Sequence, residues 1–359
     1  MYRRILFPLG ARADAETVHD LTLALLARAG QSRAAAALLE RCFGYDDPRL
    51  RMVVWGLPFS NPLGVAAGLD KNGRAVSALL RMGWGHVEVG TVTPRPQLGN
   101  AKPRIFRMAA DRALINRMGF PGDGADAVAA HLGRARRSGV VGVNIGANKT
   151  SVEAGDAAAD YVAALERLYD VADYLAINIS SPNTARLRAL QGRQALLELA
   201  QEVVAARDRM AVRKPLLVKV APDLSPAEID DIVDVCSRCG IDGLIATNTT
   251  VGRPPSLRDA HAGESGGLSG APLRERATDI IRYLYHSTAA RLPIIGAGGV
   301  FTAQDAFEKL SAGASLVQIY TGFIYEGPAL ARRIQGGLVR LMDQHGYATL
   351  RDLVGSGCG

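Results

Sequence analysis

Polar side chains recur along the sequence where short apolar runs end. Amides and hydroxyls dominate this set, two lysines accompany them, carboxylates are few and histidine is absent. Because an amide offers both a donor and an acceptor, such a group suits a planar ligand with alternating carbonyl and N–H groups. Divalent metal sites usually need clustered His, Asp or Glu, so we expect no metal here. The positions are Asp70, Lys71, Glu88, Thr91, Asn144, Asn178, Ser180, Ser181, Asn183, Lys219, Thr247, Asn248, Thr249, Gly298, Gly299, Tyr320 and Thr321.

Three glycine-containing segments predict phosphate binding. GGLSG spans 266–270, GAGG spans 296–299 at the end of an apolar run, and YTG spans 320–322 at the end of the next run. Backbone N–H groups of such loops, together with the N-terminus of a short helix, commonly bind phosphate. Glycines also make simple turns, so the prediction depends on their place at the ends of the runs.

The apolar runs themselves indicate the fold. Most of the intervals between them are rich in Ala, Leu, Arg and Glu and read as helices, one of which has Pro226 at its first position. Eight strand–helix units over about 270 residues predict an α/β fold, a (β/α)8 barrel, with function at the carboxyl ends of its strands. A doubly wound sheet usually has fewer strands and a phosphate fingerprint after the first one, which LDKNG is not. The runs cover 63–71, 86–91, 140–146, 174–180, 216–223, 243–249, 293–299 and 316–322.

Two short amphipathic helices are predicted before the barrel. Asp14 caps the first, which runs to about Ala29, and Ser32 caps the second, which covers 33–42. Neither could form a core alone, so they either pack against the barrel or form a membrane-surface or hydrophobic-ligand module. A hairpin-like stretch follows at 49–62. The predicted divisions of the chain are a helical extension (1–45), a barrel (46–345) and a C-terminal tail (346–359).

The composition limits the partners and the location. The 359 residues carry a net charge of +7, with basic residues interspersed along the chain. This pattern favours anionic small molecules or an acidic membrane surface over nucleic acid. No apolar run approaches the length of about 18 residues that a transmembrane helix needs, and the N-terminal apolar stretch is too short for a signal peptide, so we expect an intracellular protein. Cys236 and Cys239 fall in a predicted helix (227–239) without a second ligand pair, which indicates half-buried structural thiols.

Eleven segments resemble the dihydroorotate dehydrogenase family, in order and at matching spacing between about residues 15 and 335. A serine in the active-site loop, here Ser181, distinguishes the membrane-associated class 2 enzymes, which reduce quinone, from the class 1 enzymes, which have cysteine. A helical N-terminal extension is also typical of class 2, and this favours the membrane reading of the two helices. The matching segments are AAGLDKNG (66–73), EVGTVTPRPQ (88–97), PRIFR (103–107), LINRMGF (114–120), VNIGANK (143–149), NISSPNT (178–184), KVAPDL (219–224), ATNTT (246–250), GGLSGAPL (266–273), GAGG (296–299) and SLVQIYTG (315–322).

The resemblance implies a role for each group of residues. Ser181 is the implied base for the proton on carbon 5 of dihydroorotate, while a hydride passes from carbon 6 to FMN, and Lys219 would stabilise the negative charge of reduced flavin. The implied cofactor-binding residues are Ala67, Gly68, Lys71, Thr91, Asn144, Asn178, Lys219, Thr247, Gly270, Gly299, Tyr320 and Thr321. The implied substrate-binding residues are Lys71, Asn116, Arg117, Met118, Gly119, Phe120, Asn178, Asn183, Asn248 and Thr249. His19, Arg107 and Tyr320 would line a quinone site.

The same resemblance implies a place in the cell and leaves other functions to be tested. It implies oxidation of (S)-dihydroorotate to orotate during UMP synthesis, at the cytoplasmic face of the membrane, by a peripheral monomer or homodimer without an iron–sulfur partner subunit. Three alternatives stay open from the residues. They are an FMN barrel oxidoreductase for another heterocycle such as a dihydropyrimidine, a phosphate-binding barrel isomerase or lyase without flavin, and a membrane-associated binding module.

Overall fold

The structure, a computed structural model, describes Tyr2, Phe7 and residues 13–358. Within these residues the strands, numbered in chain order, are β1 (Met52–Val54), β2 (Leu57–Phe59), β3 (Leu63–Val65), β4 (His86–Val92), β5 (Ile105–Met108), β6 (Ala113–Asn116), β7 (Val140–Ile145), β8 (Tyr174–Asn178), β9 (Leu216–Val220), β10 (Gly243–Ala246), β11 (Gly267–Gly270), β12 (Ile294–Ala297) and β13 (Ala314–Ile319). Eight of them pair in parallel and close in the order β3-β4-β7-β8-β9-β10-β12-β13. The predicted (β/α)8 barrel is therefore confirmed.

Helices cover the outside of the barrel, and each barrel strand is followed by at least one of them. Because helices cover one face of each strand and the barrel core covers the other, the strands are buried along their length; all seven residues of β4 are buried. The helices described are α1 (Ala15–Gln31), α2 (Arg33–Phe43), α3 (Val76–Arg81), α4 (Ala125–Gly133), α5 (Lys149–Ala154), α6 (Ala157–Leu168), α7 (Arg193–Asp208), α8 (Pro226–Cys239), α9 (Arg274–Ser287), α10 (Ala303–Ser311), α11 (Thr321–Glu326), α12 (Leu330–His345) and α13 (Leu350–Leu353).

Large side chains fill the barrel interior near the amino ends of the strands. Tyr174 begins β8 and His86 begins β4, and both are fully buried. A Cβ on Gly142 would lie 2.0 Å from the Tyr174 ring, and one on Gly64 would lie 2.1 Å from the His86 ring. Glycine is therefore required at both positions, and the barrel interior here is a packed core and not a channel.

A β-hairpin forms where the sequence predicts a hairpin-like stretch, and it covers the amino end of the barrel. β1 and β2 pair antiparallel through a two-residue turn in which Trp55 and Gly56 both have positive φ, the geometry of a tight hairpin turn. The Trp55 Nε1 donates a hydrogen bond to the carbonyl oxygen of Asp242, at 2.8 Å. Val54 and Phe59 pack against residues near the amino ends of the barrel strands.

A three-stranded antiparallel sheet, which the sequence did not predict, lies at the other end of the barrel. Its order is β11-β6-β5, and it joins the segment after β4 to the segment after β10. Asn116 at the end of β6 pairs with Gly267 on one side and Ile105 on the other. The sheet therefore holds a predicted substrate residue at the edge of the barrel mouth.

The two N-terminal helices form as predicted, with slightly later ends. The Asp14 carboxylate accepts from the Thr17 N–H at 2.8 Å, and the Ser32 hydroxyl accepts from the Ala35 N–H at 3.3 Å. One face of the pair packs on the barrel, where a Cβ on Gly30 would lie 2.9 Å from the Ala78 nitrogen. The opposite face leaves large side chains in solvent, namely Leu21, Leu25 and Leu38.

The two cysteines of the CxxC segment lie on α8. Cys236 is fully buried, which is deeper than the half-buried position expected, and Cys239 is half-buried. Among the described residues, no group of three or more His, Cys, Asp or Glu is placed to hold a metal ion. None of the helices in this part of the chain is long and apolar enough to span a membrane.

Candidate active site

A cavity with an empty volume of about 1130 Å³, including its open mouth, lies at the carboxyl ends of the barrel strands. Barrel loops form its floor and walls, and β5, β6 and β11 contribute one side. The implied base and nearly all of the residues implied for cofactor and substrate binding line it. They are Ala67, Gly68, Lys71, Thr91, Asn116, Met118, Gly119, Phe120, Asn178, Ser181, Asn183, Lys219, Thr247, Asn248, Thr249, Gly270, Gly299, Tyr320 and Thr321.

Asn178, at the end of β8, is the centre of a hydrogen-bonded group of amides. Its Nδ2 donates to the Thr91 hydroxyl at 2.8 Å and to the Asn144 Oδ1 at 3.1 Å. Its Oδ1 accepts from the Asn248 Nδ2 at 3.2 Å and from the Ser180 hydroxyl at 3.1 Å. These bonds fix which edge of each amide is a donor and which is an acceptor, so the amides are preorganised for a planar polar ligand.

Glu88 lies one layer below the cavity and receives several hydrogen bonds. Its carboxylate accepts from Asn144 at 2.9 Å, from the Tyr174 hydroxyl at 2.9 Å and from the Gln318 amide at 2.7 Å. The Lys219 Nζ lies 3.9 Å from the same carboxylate. Burial raises the pKa of Tyr174 well above its usual range, and Glu88 adds to that shift, so the phenol stays a donor.

Within this polar group, Asn144 and Gln318 differ from the sequence-based expectation. Asn144 is fully buried and does not line the cavity; it acts on it through Thr91 and Asn178. Gln318 does line the cavity and was not predicted. Gln318 is a polar residue inside an apolar strand run, and this signal could have identified it as a site residue. The same signal could have indicated that Glu88 supports the site.

Ser181 faces the cavity, whereas its neighbour Ser180 does not. Ser181 is buried, and its hydroxyl oxygen accepts from the Asn183 backbone N–H at 3.3 Å. The Ser180 hydroxyl is used in holding Asn178 and Asn248. No carboxylate or imidazole is among the described residues that line the cavity, so hydroxyls and lysines are the side chains there that could exchange a proton.

Lys71 stands between this cavity and a second one. Its Nζ donates to the Gly68 carbonyl at 2.8 Å, and burial lowers its pKa to about 8, although the Glu16 and Asp20 charges oppose that shift. The second cavity, between α1 and the barrel, has an empty volume of about 1430 Å³, and Lys71 and Met118 line both cavities.

The three side chains implied for a quinone site are dispersed. Tyr320 lines the first cavity and His19 lines the second, while Arg107 lines neither and donates to the Ala13 carbonyl. Burial lowers the pKa of His19 to about 3, and the Lys71 charge adds to that shift, so the imidazole is neutral at physiological pH.

Arg117 also points away from the first cavity. Its guanidinium donates to Glu264 at 2.7 Å and lies 4.6 Å from the centre of the Phe106 ring. Arg117 therefore fastens the loop that carries Asn116 and Met118 to the segment before β11.

Comparisons with known proteins agree with this geometry. The family profile described as dihydroorotate dehydrogenase matches residues 49–342. A quinone-type dihydroorotate dehydrogenase of Rhodospirillum rubrum is 50% identical over 98% of this chain and 94% of its own length, and one of Gloeobacter violaceus is 47% identical over 98% of each. A dihydroorotate dehydrogenase of Eimeria tenella, solved with ferulenol, superimposes with a TM-score of 0.88 at 41% identity, over 96% of this chain and 95% of that chain. The chain belongs to the dihydroorotate dehydrogenase family.

Proposed function

We propose that the protein oxidises (S)-dihydroorotate to orotate, a step of pyrimidine nucleotide synthesis, with FMN as cofactor and quinone as electron acceptor. The observation that carries the proposal is the cavity itself. It brings together an ordered group of amides, two lysines and one serine, and no carboxylate or imidazole is among its described lining residues. Amides and lysines suit an anionic pyrimidine, which has alternating carbonyl and N–H groups and a carboxylate.

Glycine loops and an unpartnered amide oxygen support FMN as the ligand of this cavity. Gly68, Gly270 and Gly299 line it with positive φ, and a Cβ on Gly299 would lie 2.7 Å from the Arg274 backbone nitrogen. These loops therefore offer backbone without side chains, as a phosphate group requires. At the other end, the buried Gln318 Oε1 has no hydrogen-bond partner within the described residues and can accept from a ligand.

Each polar side chain has a task in this proposal. FMN, when bound, accepts the hydride that leaves carbon 6 of dihydroorotate. Ser181 takes the proton from carbon 5. The Asn183 N–H donates to the Ser181 oxygen, which favours the deprotonated form of the hydroxyl that a base requires. Lys219 would supply a positive charge that favours uptake of electrons by the cofactor. The buried Asn183 Oδ1, which has no partner in the described part of the chain, is free to accept from the substrate.

Quinone and membrane contact are assigned to the N-terminal helices. Leu21, Leu25 and Leu38 are each about three-fifths exposed on the outer face of α1 and α2. Large apolar side chains grouped on one helical face favour peripheral attachment to the interface of a bilayer. We place this contact at the cytoplasmic face, with His19, Arg107 and Tyr320 on the path of the quinone.

The test is the colour of the purified protein. A yellow protein that dihydroorotate bleaches anaerobically, and that quinone then restores, supports the proposal. Dihydrouracil is the matched control substrate because it lacks the carboxylate. Bleaching by dihydrouracil instead of dihydroorotate would assign the site to another dihydropyrimidine, and a colourless protein unable to take up FMN would overturn the flavin assignment.

A further inference from the structure

A buried ion pair fastens the first helix to the barrel. The Arg104 Nε donates to one carboxylate oxygen of Glu16 at 3.0 Å, and its Nη2 donates to the other at 2.6 Å. Only 7% of Glu16 and 6% of Arg104 is exposed. The hydrogen bonds from Arg104 lower the pKa of Glu16, although burial opposes this, so the carboxylate is charged at neutral pH.

The same guanidinium also fixes a loop of the barrel. The Arg104 Nη1 donates to the backbone carbonyls of Leu98 and Asn100, each at 2.7 Å. The planar fork of arginine makes both sets of bonds at once, which a lysine ammonium on a flexible stem would not reproduce. The position of Asn100 therefore depends on the same side chain that holds Glu16.

Asn100 in turn joins two segments of the proposed substrate site. Its Nδ2 donates to the Asn183 carbonyl at 2.9 Å and to the Arg117 carbonyl at 3.0 Å. Its backbone N–H donates to the Met118 carbonyl at 2.9 Å. A Cβ on Gly119 would lie 2.7 Å from the Asn100 amide carbon, so the loop lies directly against this side chain.

We propose that Arg104 and Asn100 are positioning residues that couple α1 to the dihydroorotate site. The coupling runs from Glu16 through Arg104 to Asn100, and from Asn100 to the backbone of two segments that line the proposed substrate site. The coupling rests on the proposed function, because Asn183 and Met118 are assigned to substrate binding only under that function. By thermodynamic linkage, packing of α1 on the barrel tightens substrate binding, and bound substrate stabilises the packed helix by the same free energy.

The experiment uses the full-length, FMN-loaded protein. Glu16→Gln removes the charge that anchors the helix, and Asn100→Ala cuts the connection beyond Arg104 while the ion pair stays. Glu40→Gln is the matched control, because Arg81 and Glu40 form a 2.6 Å pair between α2 and α3 and, among the described residues, neither side chain bonds to the substrate loops. Orotate affinity is measured from the change in flavin absorbance, and KM and kcat for dihydroorotate are measured with a small soluble dye as acceptor.

We expect Glu16→Gln and Asn100→Ala to weaken orotate binding and raise KM by about fivefold or more, with kcat within about twofold of the original and Glu40→Gln unchanged. Orotate should also slow amide hydrogen exchange in residues 15–31 of the unmodified protein and of Glu40→Gln, but not of Asn100→Ala. A residue with a merely structural role would lower thermal stability without this split between KM and kcat.

Two results separate the inference from the proposed function. If the unmodified protein binds FMN but neither orotate nor dihydroorotate, the proposed function fails. If it binds orotate, and Glu16→Gln and Asn100→Ala bind it as tightly as Glu40→Gln does, the coupling does not exist and the proposed function stands. Loss of folding in Glu16→Gln would leave the decision to Asn100→Ala, which retains the buried pair.

Discussion

The Lys219 ammonium, which lines the cavity, lies 3.9 Å from the carboxylate of Glu88 in the layer below, and both side chains are buried. Burial lowers the pKa of Lys219, and the Glu88 charge opposes that shift. The carboxylate thus favours the charged form of a lysine that lines the cavity. Its remaining bonds, from Asn144, Tyr174 and Gln318, hold it in place without neutralising it.

Lys219→Met should therefore lower the midpoint potential of bound FMN. The variant loses the positive charge beside the ring that gains electrons, and we expect a shift on the order of tens of millivolts, with weaker FMN binding. Lys214→Met is the control, since the Lys214 Nζ donates to the Tyr169 and Ala172 carbonyls away from the cavity. Equal potentials in the two variants would make Lys219 a structural residue only.

Replacing Ser181 should separate binding from chemistry. Ser181→Ala should keep FMN and orotate affinity but slow anaerobic flavin reduction by dihydroorotate by about 10²–10⁴-fold, because the base for carbon 5 is lost. Ser181→Cys should recover part of the rate, since a thiol can take the same proton. Stopped-flow absorbance measures the rate of flavin reduction in the unmodified protein and in both variants. An unchanged rate in Ser181→Ala would show that Ser181 is not the base.

Lys71 should set an alkaline limit to substrate capture. Its pKa is about 8 because it is buried, so it is a cation below that pH and neutral above it. The attraction for the carboxylate of dihydroorotate is then lost as the pH rises, and kcat/KM should fall about tenfold per pH unit beyond that point. Lys71→Met should have a low kcat/KM without this fall, and Lys149→Met, which changes an exposed lysine, should keep the original profile.

Local sequence patterns predicted most of the barrel and much of its site. The eight apolar runs contain the eight barrel strands nearly within their bounds, because a strand covered on both faces must be apolar along its length. Side chains at the strand ends then share one cavity by the topology of the fold. The caps at Asp14 and Ser32 form as predicted because each bond joins residues three apart.

Features that depend on distant contacts could not be predicted in this way. The bond from Arg104 to Glu16 spans 88 residues, and no local pattern marks either partner. The sheet of β5, β6 and β11 joins short strands whose alternation is weak. The C-terminal tail also gave no signal, yet Leu350 and Leu353 are fully buried against the barrel.

The ion pair changes what removal of the N-terminal helices should do. From sequence alone, deleting residues 1–45 should sharply lower turnover of long-tailed quinone and spare flavin reduction by dihydroorotate, since all residues assigned to that reduction follow residue 60. The structure adds that the deletion takes away the carboxylate that holds Arg104, and with it the first link of the proposed coupling to Asn100. We therefore expect the truncated protein to lose long-tailed quinone turnover, to reduce a small dye, and to show a raised KM for dihydroorotate.

Retained FMN and an intact thermal transition are the controls for that truncation, because it also uncovers apolar surface. Long-tailed quinone turnover at the full-length rate would show that the helices are not the path of the quinone. An unchanged KM for dihydroorotate would contradict the coupling through Arg104.

His86 should make the protein sensitive to mild acid. Burial lowers its pKa to about 3 from the value of 6.5 expected in the unfolded chain. Above pH 6.5 the His86 imidazole is mainly neutral in both the folded and the unfolded chain. As the pH falls from there toward 3, the imidazole takes up a proton in the unfolded chain only. The free energy of unfolding should then drop by as much as about 1.4 kcal/mol per pH unit from this residue.

Urea unfolding of His86→Leu measures that contribution. Its stability should fall less between neutral and mildly acid pH than that of the original protein. His286→Leu, at an exposed position, should leave the pH dependence unchanged. Parallel curves for all three proteins would mean that His86 takes up a proton as readily in the folded state as in the unfolded chain.

The pairing of β11 with β6 has a consequence for the order of folding. The Asn116 side chain and the Gly267 carbonyl that meet there are 151 residues apart, and the barrel strands from β7 to β10 lie between them in the chain. Closing so long a segment costs entropy that is recovered only when the intervening strands are already in place. During refolding, the barrel should therefore gain its secondary structure before one wall of the substrate cavity exists, and the ability to bind orotate should be the last property to return.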